Sequence, residues 1–407
     1  MNLNPDVLIV GAGIAGITCA LKCQERGVNF LIIEKNDRVG GRLGSIYEDG
    51  YIFDIGFQVF NSSYHETKNL LDLKKLNLMF FKPGTAIFSN NKFKIISDPV
   101  RDLSKTFNTL FSDIPTLADK IRILKLKFEL AKYSIEKDKS KDVETLIFLK
   151  NYGFSEQIIA NFFTPFFAGV FLEKKLHTSS KFFKYVFSKF GSGLASLPLK
   201  GMQEIPKNML RNINQNNLLL NCELELLTNE KIVKLKNGPT IHPNQIILTG
   251  NSQQLLYHKR LYYNSVKTLY FSSDNLPKYS DYIHIFPEEN IINNVAFLTS
   301  ICPHYSKNND HLLSVSIIEK TKESETDLKN YVKHRLENIY GGKFNFLKYF
   351  DIKQATINHP VNYFAKNIKN SAGKGIYFSG DNLVHGSIEG AVISGIQVAD
   401  ELERSFN

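Results

Sequence analysis

Tryptophan is absent from this 407-residue chain, and cysteine occurs only four times. Cys19, Cys23, Cys222 and Cys302 form no C-x-x-C pair, and no histidines stand at zinc-ligand spacing. Neither a disulfide framework nor a structural zinc site organises such a chain, and no metal is expected. Cys19 and Cys23 stand one helical turn apart and read as packing residues. A long hydrophobic run is missing as well. The most apolar stretch, FFTPFFAGVFL from Phe162 to Leu172, is interrupted by Pro165, and it falls well short of the roughly 20 residues that span a bilayer. The first strand begins near Asp6, leaving no space for a secretory signal. A soluble protein of a reducing, cytoplasmic compartment is the expectation.

Charge of one sign is in surplus, with a formal net charge of +10. The basic residues are spread along the chain instead of forming a patch, so a nucleic-acid partner is not expected. Apolar residues at 43% and charged residues at 22% are ordinary globular values. The length predicts two domains, and 31 Phe with 18 Tyr supply material for an apolar core or cavity.

Near the N-terminus DVLIV (Asp6 to Val10) reads as a buried parallel strand. It runs into GAGIAG, a G-x-G-x-x-G made of Gly11, Ala12, Gly13, Ile14, Ala15 and Gly16. A helix pattern follows to Arg26, and VNFLIIE forms a second strand ending at Glu34 and Lys35. Gly11 permits the tight turn, Gly13 lets backbone N–H groups approach a pyrophosphate, and Gly16 allows close helix–strand packing. The helix N-terminus favours the anion. Glu34, with Lys35 beside it, is placed at ribose hydroxyls. This unit leaves NAD and FAD equally open.

Two further stretches carry more. DRVGGRLGS (Asp37 to Ser45) places Arg38 and Arg42 around Gly40 and Gly41, and FDIGFQVF places Asp54, Gly56 and Phe57 at the end of an extended segment. Near the C-terminus GIYFSGDNLVHGSIEGA ends a strand at Gly380 and Asp381, then opens a helix with Gly386, Ser387, Ile388, Glu389, Gly390 and Ala391. Together these residues resemble the flavin-containing amine oxidase superfamily, which includes phytoene desaturases and protoporphyrinogen oxidases. The resemblance implies FAD as cofactor. It places Gly40, Gly41 and Arg42 at the pyrophosphate and the flavin edge, and Gly56 and Phe57 beneath the ring. Gly380 and Asp381 fall at the ribityl chain, and Ser387, Ile388 and Ala391 around the flavin C2 carbonyl. Small residues at Gly386 and Gly390 would let the helix end approach the ring. The resemblance also sets the backbone near Leu224 against the adenine side, and Lys267 near flavin N5. Read from the residues alone, a strand lysine such as Lys267 reaches solvent, and His385 is a loop histidine facing water. A plain NAD dehydrogenase is disfavoured by the C-terminal closure.

The remaining segments change character. Ser62 or Ser63 is the expected N-cap of a helix through His65. PTLADKIRILKLKFELAKYSIEK (Pro115 to Lys137) predicts one amphipathic helix, read as a solvated lysine face over a packed stripe in preference to a membrane-surface helix. SVKTLYF, YIHIF, VAFLTSI and LLSVSII alternate as antiparallel strands do. The Phe-rich run from Phe162 fits either an ordinary core or the wall of a lipophilic substrate cavity.

The expected fold class is α/β, with a discontinuous Rossmann-like FAD/NAD(P)-binding domain (1–62, 200–252 and 373–407). An α+β substrate domain of mixed sheet and helices (63–199 and 253–372) completes it. The expected function is oxidation or desaturation of a small organic substrate, lipophilic or aromatic, by hydride transfer to flavin N5. A flavin-dependent isomerase or mutase is the alternative, and a non-catalytic escort-type binder is disfavoured because the glycines and both arginines are present. The electron acceptor and the oligomeric state are left open.

Overall fold

The first strand (Val7–Val10) is buried along its whole length, each residue at most 7% exposed, because both faces of the sheet that it enters are covered. It lies parallel to Phe30–Ile33 on one side and to Gln245–Thr249 on the other, with Val7 opposite Phe30 and Gln245. Leu218–Leu219 extends the sheet beyond Phe30–Ile33, Ile376–Ser379 extends it beyond Gln245–Thr249, and Ser371–Gly373 adds an antiparallel edge. The chain is thus woven into one six-stranded sheet from three widely separated stretches. These relations come from a computed structural model that describes residues 4–97, 116–228, 230–236, 238–256, 261–318, 323–365 and 370–406.

Helices complete this layer. The first helix (Ile14–Glu25) packs against the last (Ile388–Phe406). The two approach so closely that a Cβ on Gly395 would stand 2.8 Å from the Ala15 carbonyl oxygen. Cys19 and Cys23 are buried in that contact as free thiols. Arg26 adds ion pairs to Asp400 and Glu403.

A second sheet of seven strands runs in the order Phe344–Ile357, Tyr263–Ser273, His311–Ile317, Asn294–Phe297, Ile283–Ile285, Gly84–Ser89 and Lys92–Ser97. The expected strand VAFLTSI stops at Phe297, and Leu298–Ile301 turns into helix. Leu269 and Phe271 on one face of this sheet pack with Leu328, Val332 and Leu336 of the helix Glu325–Tyr340. The opposite face carries Thr268 and Tyr270 toward the segment around Asp54 and Gly56.

The third body is an aromatic helical bundle. Phe163, Phe167, Phe171 and Phe183 are at most 2% exposed, so this part of the Phe-rich run is core. The run bends through one π-helical segment, Ile159–Phe163, before Thr164–Phe171 resumes the α-helix. The lysine-rich helix spans Leu117–Glu129, shorter than expected, and Pro115 lies outside the described residues. It ends at Leu130 because the chain turns there, letting both Leu130 and Ile135 enter the bundle. Its solvent face carries exposed Lys125 as expected, but apolar side chains share it: Leu117, Ile121, Leu124 and Phe128 are exposed as well.

Candidate cofactor and active site

The G-x-G-x-x-G turn is built by backbone. Gly11 has φ of +105°, and its N–H donates to the Ile33 carbonyl at 2.7 Å. A Cβ on Gly16 would lie 2.0 Å from the Gly11 carbonyl oxygen, so only glycine permits this crossing. Gly13 is different. A Cβ there would meet no atom within 4 Å, which leaves open ground before the N–H groups of the first helical turn, whose donors have no intrahelical acceptor.

Glu34 is buried, and its carboxylate accepts from the Ala12 N–H at 2.8 Å and the Asn36 N–H at 3.0 Å. Those bonds fix the end of the second strand against the glycine turn, and a carboxylate keeps lone pairs for further donors. Lys35, next to it, is exposed. Leu224 opens a short strand that pairs with Leu235, close to Glu34 because the Cys222 N–H donates to the Glu34 carbonyl at 2.8 Å.

The D-R-V-G-G-R segment joins directly to the glycine turn. Gly40 donates to the Ala12 carbonyl at 2.8 Å, and Gly13 and Gly40 form an isolated parallel bridge. Its two arginines do different things. Arg38 folds back onto the carbonyls of Gly41 at 2.9 Å and Leu43 at 3.0 Å, shaping the loop. Arg42 reaches across the crevice and pairs with Asp381, which is 4% exposed.

Below the crevice lies Asp54. Its carboxylate accepts from Ser45 Oγ, the Met202 N–H and the Tyr305 hydroxyl, and burial pushes its pKa up to about 6 against those bonds. Gly56, two residues on, has φ of +86°. A Cβ on it would strike Ile352 Cδ1 at 2.7 Å, with Thr268 Oγ1 at 3.9 Å. Phe57 is half-buried and meets Phe81 edge-on.

At the far end Gly380 donates its N–H to Ser394 Oγ at 2.9 Å, and Asp381 follows in a single turn. The Gly386 N–H donates to His359 Nε2 at 3.0 Å. His359 and His385 are both buried, at 1% and 2% exposure, among Phe182, Tyr185 and Phe364. Burial pushes both imidazoles down to about 3, so both are neutral, and for His359 the bond from Gly386 requires it. His385 therefore does not face water as expected. Its Nδ1 contacts Ser387 Oγ at 3.0 Å, and Ser387 Oγ accepts from the Gly390 N–H at 3.0 Å. The smallness of this loop also has an internal cause: a Cβ on Gly390 would lie 2.0 Å from the His385 carbonyl oxygen, and one on Gly386 would lie 2.7 Å from His359.

Glu389 has a role that sequence reasoning missed. Its carboxylate accepts from the N–H groups of Glu66 and Thr67 and from Thr67 Oγ1, capping the helix His65–Asn69. Ser62 and Ser63 are not the caps; Tyr64 stands at that position without a side-chain bond. The glutamate is 323 positions from Glu66, so nothing local could have signalled it.

The crevice thus has Gly11–Gly16, Gly40–Arg42 and Gly56 along one side, and Asp381 and Gly386–Ala391 along the other. Ile352 at Gly56 and Thr356 at Gly386 mark its two ends on the strand Phe344–Ile357. Strand spacing puts them ~13 Å apart. Two buried hydroxyls in these surroundings, those of Thr268 and Tyr185, have no hydrogen-bond partner among the described residues. Tyr185 lies against His385 with ring centroids 4.0 Å apart and planes tilted by 36°. Open ground at Gly13, a bridged arginine and orphaned buried hydroxyls suit a large polar cofactor beside an organic ligand.

Lys267 is the exception. Thr268 is the residue of the strand Tyr263–Ser273 that approaches Gly56, and side chains alternate along a strand, so Lys267 shares the face of Leu269. The lysine is not brought to the crevice.

Two curated relatives match in parts. A 4,4'-diapolycopene oxygenase from Methylomonas sp is 42% identical over 55 residues, 14% of this chain and 11% of that protein. Protoporphyrinogen oxidase 2 of Arabidopsis thaliana is 27% identical over 165 residues, 40% and 32% respectively. The chain therefore aligns with a third or less of those relatives' lengths. Solved structures match it almost throughout. A putative protoporphyrinogen oxidase from Exiguobacterium sp. 255-15 superimposes with a TM-score of 0.75 at 15% identity, over 98% of each chain. A reduced UDP-galactopyranose mutase gives 0.71 at 13% identity, over 98% of this chain and 95% of that one. These likenesses establish the fold. The profile of the flavin containing amine oxidoreductases matches residues 14–402, nearly the whole chain, so the protein belongs to that family and FAD is its cofactor.

Proposed function

We propose that this chain oxidises or desaturates a lipophilic or aromatic organic molecule, using FAD as the two-electron acceptor. The observation that carries the reading is the Arg42–Asp381 contact, which draws the N-terminal glycine turns and the C-terminal helix start into one crevice. In this reading the first helix N-terminus at Gly11–Gly16, with Gly40, Gly41 and Arg42, holds the diphosphate. The remaining lone pairs of Glu34 take ribose hydroxyls, with Lys35 at the rim and the backbone near Leu224 on the adenine side. Gly56 and Phe57 support the ring. Gly380 and Asp381 meet the ribityl chain.

At the other edge, the N–H groups of Ser387, Gly390 and Ala391 are engaged by His385, Ser387 Oγ and Ser387 O. Among the described residues, Ile388 and Glu389 are the donors at the helix start that remain for the ligand. Bound flavin supplies reversible two-electron acceptance, with negative charge gathering at its pyrimidine edge. A helix N-terminus held by His359 stabilises charge there without reorganising. Neither histidine serves as a base, since an imidazole with a pKa near 3 binds protons too weakly. What the chain contributes is orientation: the hydroxyls of Tyr185 and Thr268 are available to a substrate oxygen or nitrogen, and Phe182, stacked 4.2 Å from His359, extends the aromatic bundle to the crevice.

The likeness to a mutase favours one second reading, in which the flavin works reduced and the reaction has no net redox change. Anaerobic mixing of the yellow protein with polyenes, porphyrinogens and amines separates the two. Bleaching of the flavin band by one class supports oxidation. Turnover only after prior chemical reduction, with no bleaching by any substrate class, overturns it in favour of the mutase reading.

A further inference from the structure

We propose that a buried row of neutral polar side chains receives an uncharged oxygen function of the substrate, a carbonyl or a hydroxyl. The row is Thr268, Ser316 and Asn294, with Ser314 beside it. The proposal rests on the oxidase reading of the crevice and names what the substrate carries there. Thr268 stands opposite Ser316, and Ser316 opposite Asn294, so the three share one face of the seven-stranded sheet. Phe350 continues the row beyond Thr268, and Ile285 continues it beyond Asn294 into the aromatic bundle. Ser314 lies two residues from Ser316 and shares its face. Thr268 and Ser314 are 0% exposed, Ser316 4% and Asn294 5%.

Three polar atoms of this face have no hydrogen-bond partner among the described residues: Thr268 Oγ1, Ser314 Oγ and Asn294 Nδ2. Asn294 Oδ1 accepts from Asn293 Nδ2 at 3.1 Å, which fixes the amide and leaves its own NH2 group to donate elsewhere. Burying such groups unpaired costs free energy. The same strands avoid that cost on their other face, where Leu269, Phe271, Val295, Phe297, Leu313 and Val315 enter the core. The position of the row decides what pairs with it. Thr268 Oγ1 would stand 3.9 Å from a Cβ on Gly56, at the crevice, so a partner arrives with the ligand. None of the four side chains is charged, and Lys267 and Asp351 stand opposite each other on the reverse face. An ammonium or carboxylate group would be desolvated at the row without a counter-charge from it. A carbonyl oxygen accepts from the Asn294 amide, and a carbonyl or hydroxyl pairs with Thr268 or Ser314.

The test is calorimetric titration of the flavin-loaded full chain at neutral pH with 2-octanone, 2-methyl-1-octene, octylamine and octanoate. The last two are ionised there, and the alkene carries CH2 in place of the ketone oxygen. 2-Octanone should bind at least about tenfold more tightly than either charged probe. Thr268→Val and Ser314→Ala should each weaken 2-octanone by about tenfold, the loss expected of one hydrogen bond, and leave the alkene unweakened. Each removes a buried hydroxyl without a partner, so flavin content and the thermal midpoint should hold. Failure of wild type to bind 2-octanone, or an equal affinity for octylamine or octanoate, overturns the proposal. So do two variants that both bind 2-octanone as wild type does, since the row then holds internal water alone. Should these affinities appear as expected while no substrate class bleaches the flavin, the oxidase reading fails and the row keeps its ligand.

Discussion

The guanidinium of Arg42 donates to the carboxylate of Asp381 across 339 positions of sequence. Asp381 is nearly inaccessible, while Arg42 keeps 39% of its side-chain surface. Either partner alone would leave a charge in a crevice meant for a cofactor.

Removing both members should therefore cost less than the two single losses combined. Arg42→Ala and Asp381→Ala should each weaken FAD retention by about tenfold to a hundredfold, and the double variant should lose less than the product of the two. Fluorescence of released flavin during equilibrium dialysis reads this. Strict additivity would show that the pair does not act as a unit at the cofactor.

The glycines of the first turn make a sharper contrast. Gly16→Ala forces a Cβ to within 2.0 Å of the Gly11 carbonyl and should lower the thermal midpoint of the apoprotein by several degrees, equivalent to ~2 kcal/mol or more. Gly13→Val meets no protein atom. It should leave apoprotein stability nearly unchanged and abolish FAD binding. Apoprotein melting curves and flavin absorbance, measured on the same samples, distinguish the two effects.

On the strand Tyr263–Ser273, Lys267→Met should leave anaerobic flavin reduction unchanged. Thr268→Val removes a buried hydroxyl without a partner. It should leave folding intact and slow reduction by a polar substrate by about tenfold, the loss expected of one hydrogen bond. A slow Lys267→Met with a normal Thr268→Val would reverse the assignment of faces.

Stability should fall on acidification. His284, His359 and His385 have pKa values lowered on folding to about 4, 3 and 3. Their stabilisation is full above pH 6.5 and is lost as the pH drops, because only the unfolded chain takes up their protons. Asp54 opposes them. Its pKa is raised to about 6, so its contribution is full below 3.8 and is lost as the pH rises through 6. Three protons against one leave a net of two between about pH 6 and 4, or ~2.7 kcal/mol per pH unit. Chemical denaturation across that window should show this slope, and His359→Gln should reduce it by about one proton.

What sequence could show was the part built by backbone. The glycine turn, the strand before it and Glu34 follow from local rules, since a left-handed φ or a close crossing admits little besides glycine. The Gly40–Arg42 and Gly380–Ala391 segments were legible by resemblance. Illegible were contacts between side chains far apart in the chain. His359 lies in an unremarked loop, and only the fold carries it to the Gly386 N–H. The burial of His385 depends on Tyr185 and Phe182, two hundred positions away. Lys267 failed for a different reason: a one-residue shift along a strand exchanges its two faces, and composition does not say which face meets the crevice. The lysine-rich helix failed for the same kind of reason, because an apolar stripe reads identically whether it points in or out.

The weaving of one sheet from three stretches has a consequence for biosynthesis. A ribosome adding about 5–20 residues per second exposes the glycine turn roughly 20–75 s before the Ile376–Ser379 strand and the helix start at Ile388 emerge. For the last ~6–25 s of that interval, after Gln245–Thr249 has emerged and before Ile376–Ser379 follows, the nascent chain has one half of a nucleotide grip and an unfilled sheet edge beside Gln245–Thr249. Flavin capture is thus a late event, and a chaperone that shields this edge should raise the yield of holoprotein more than extra flavin does.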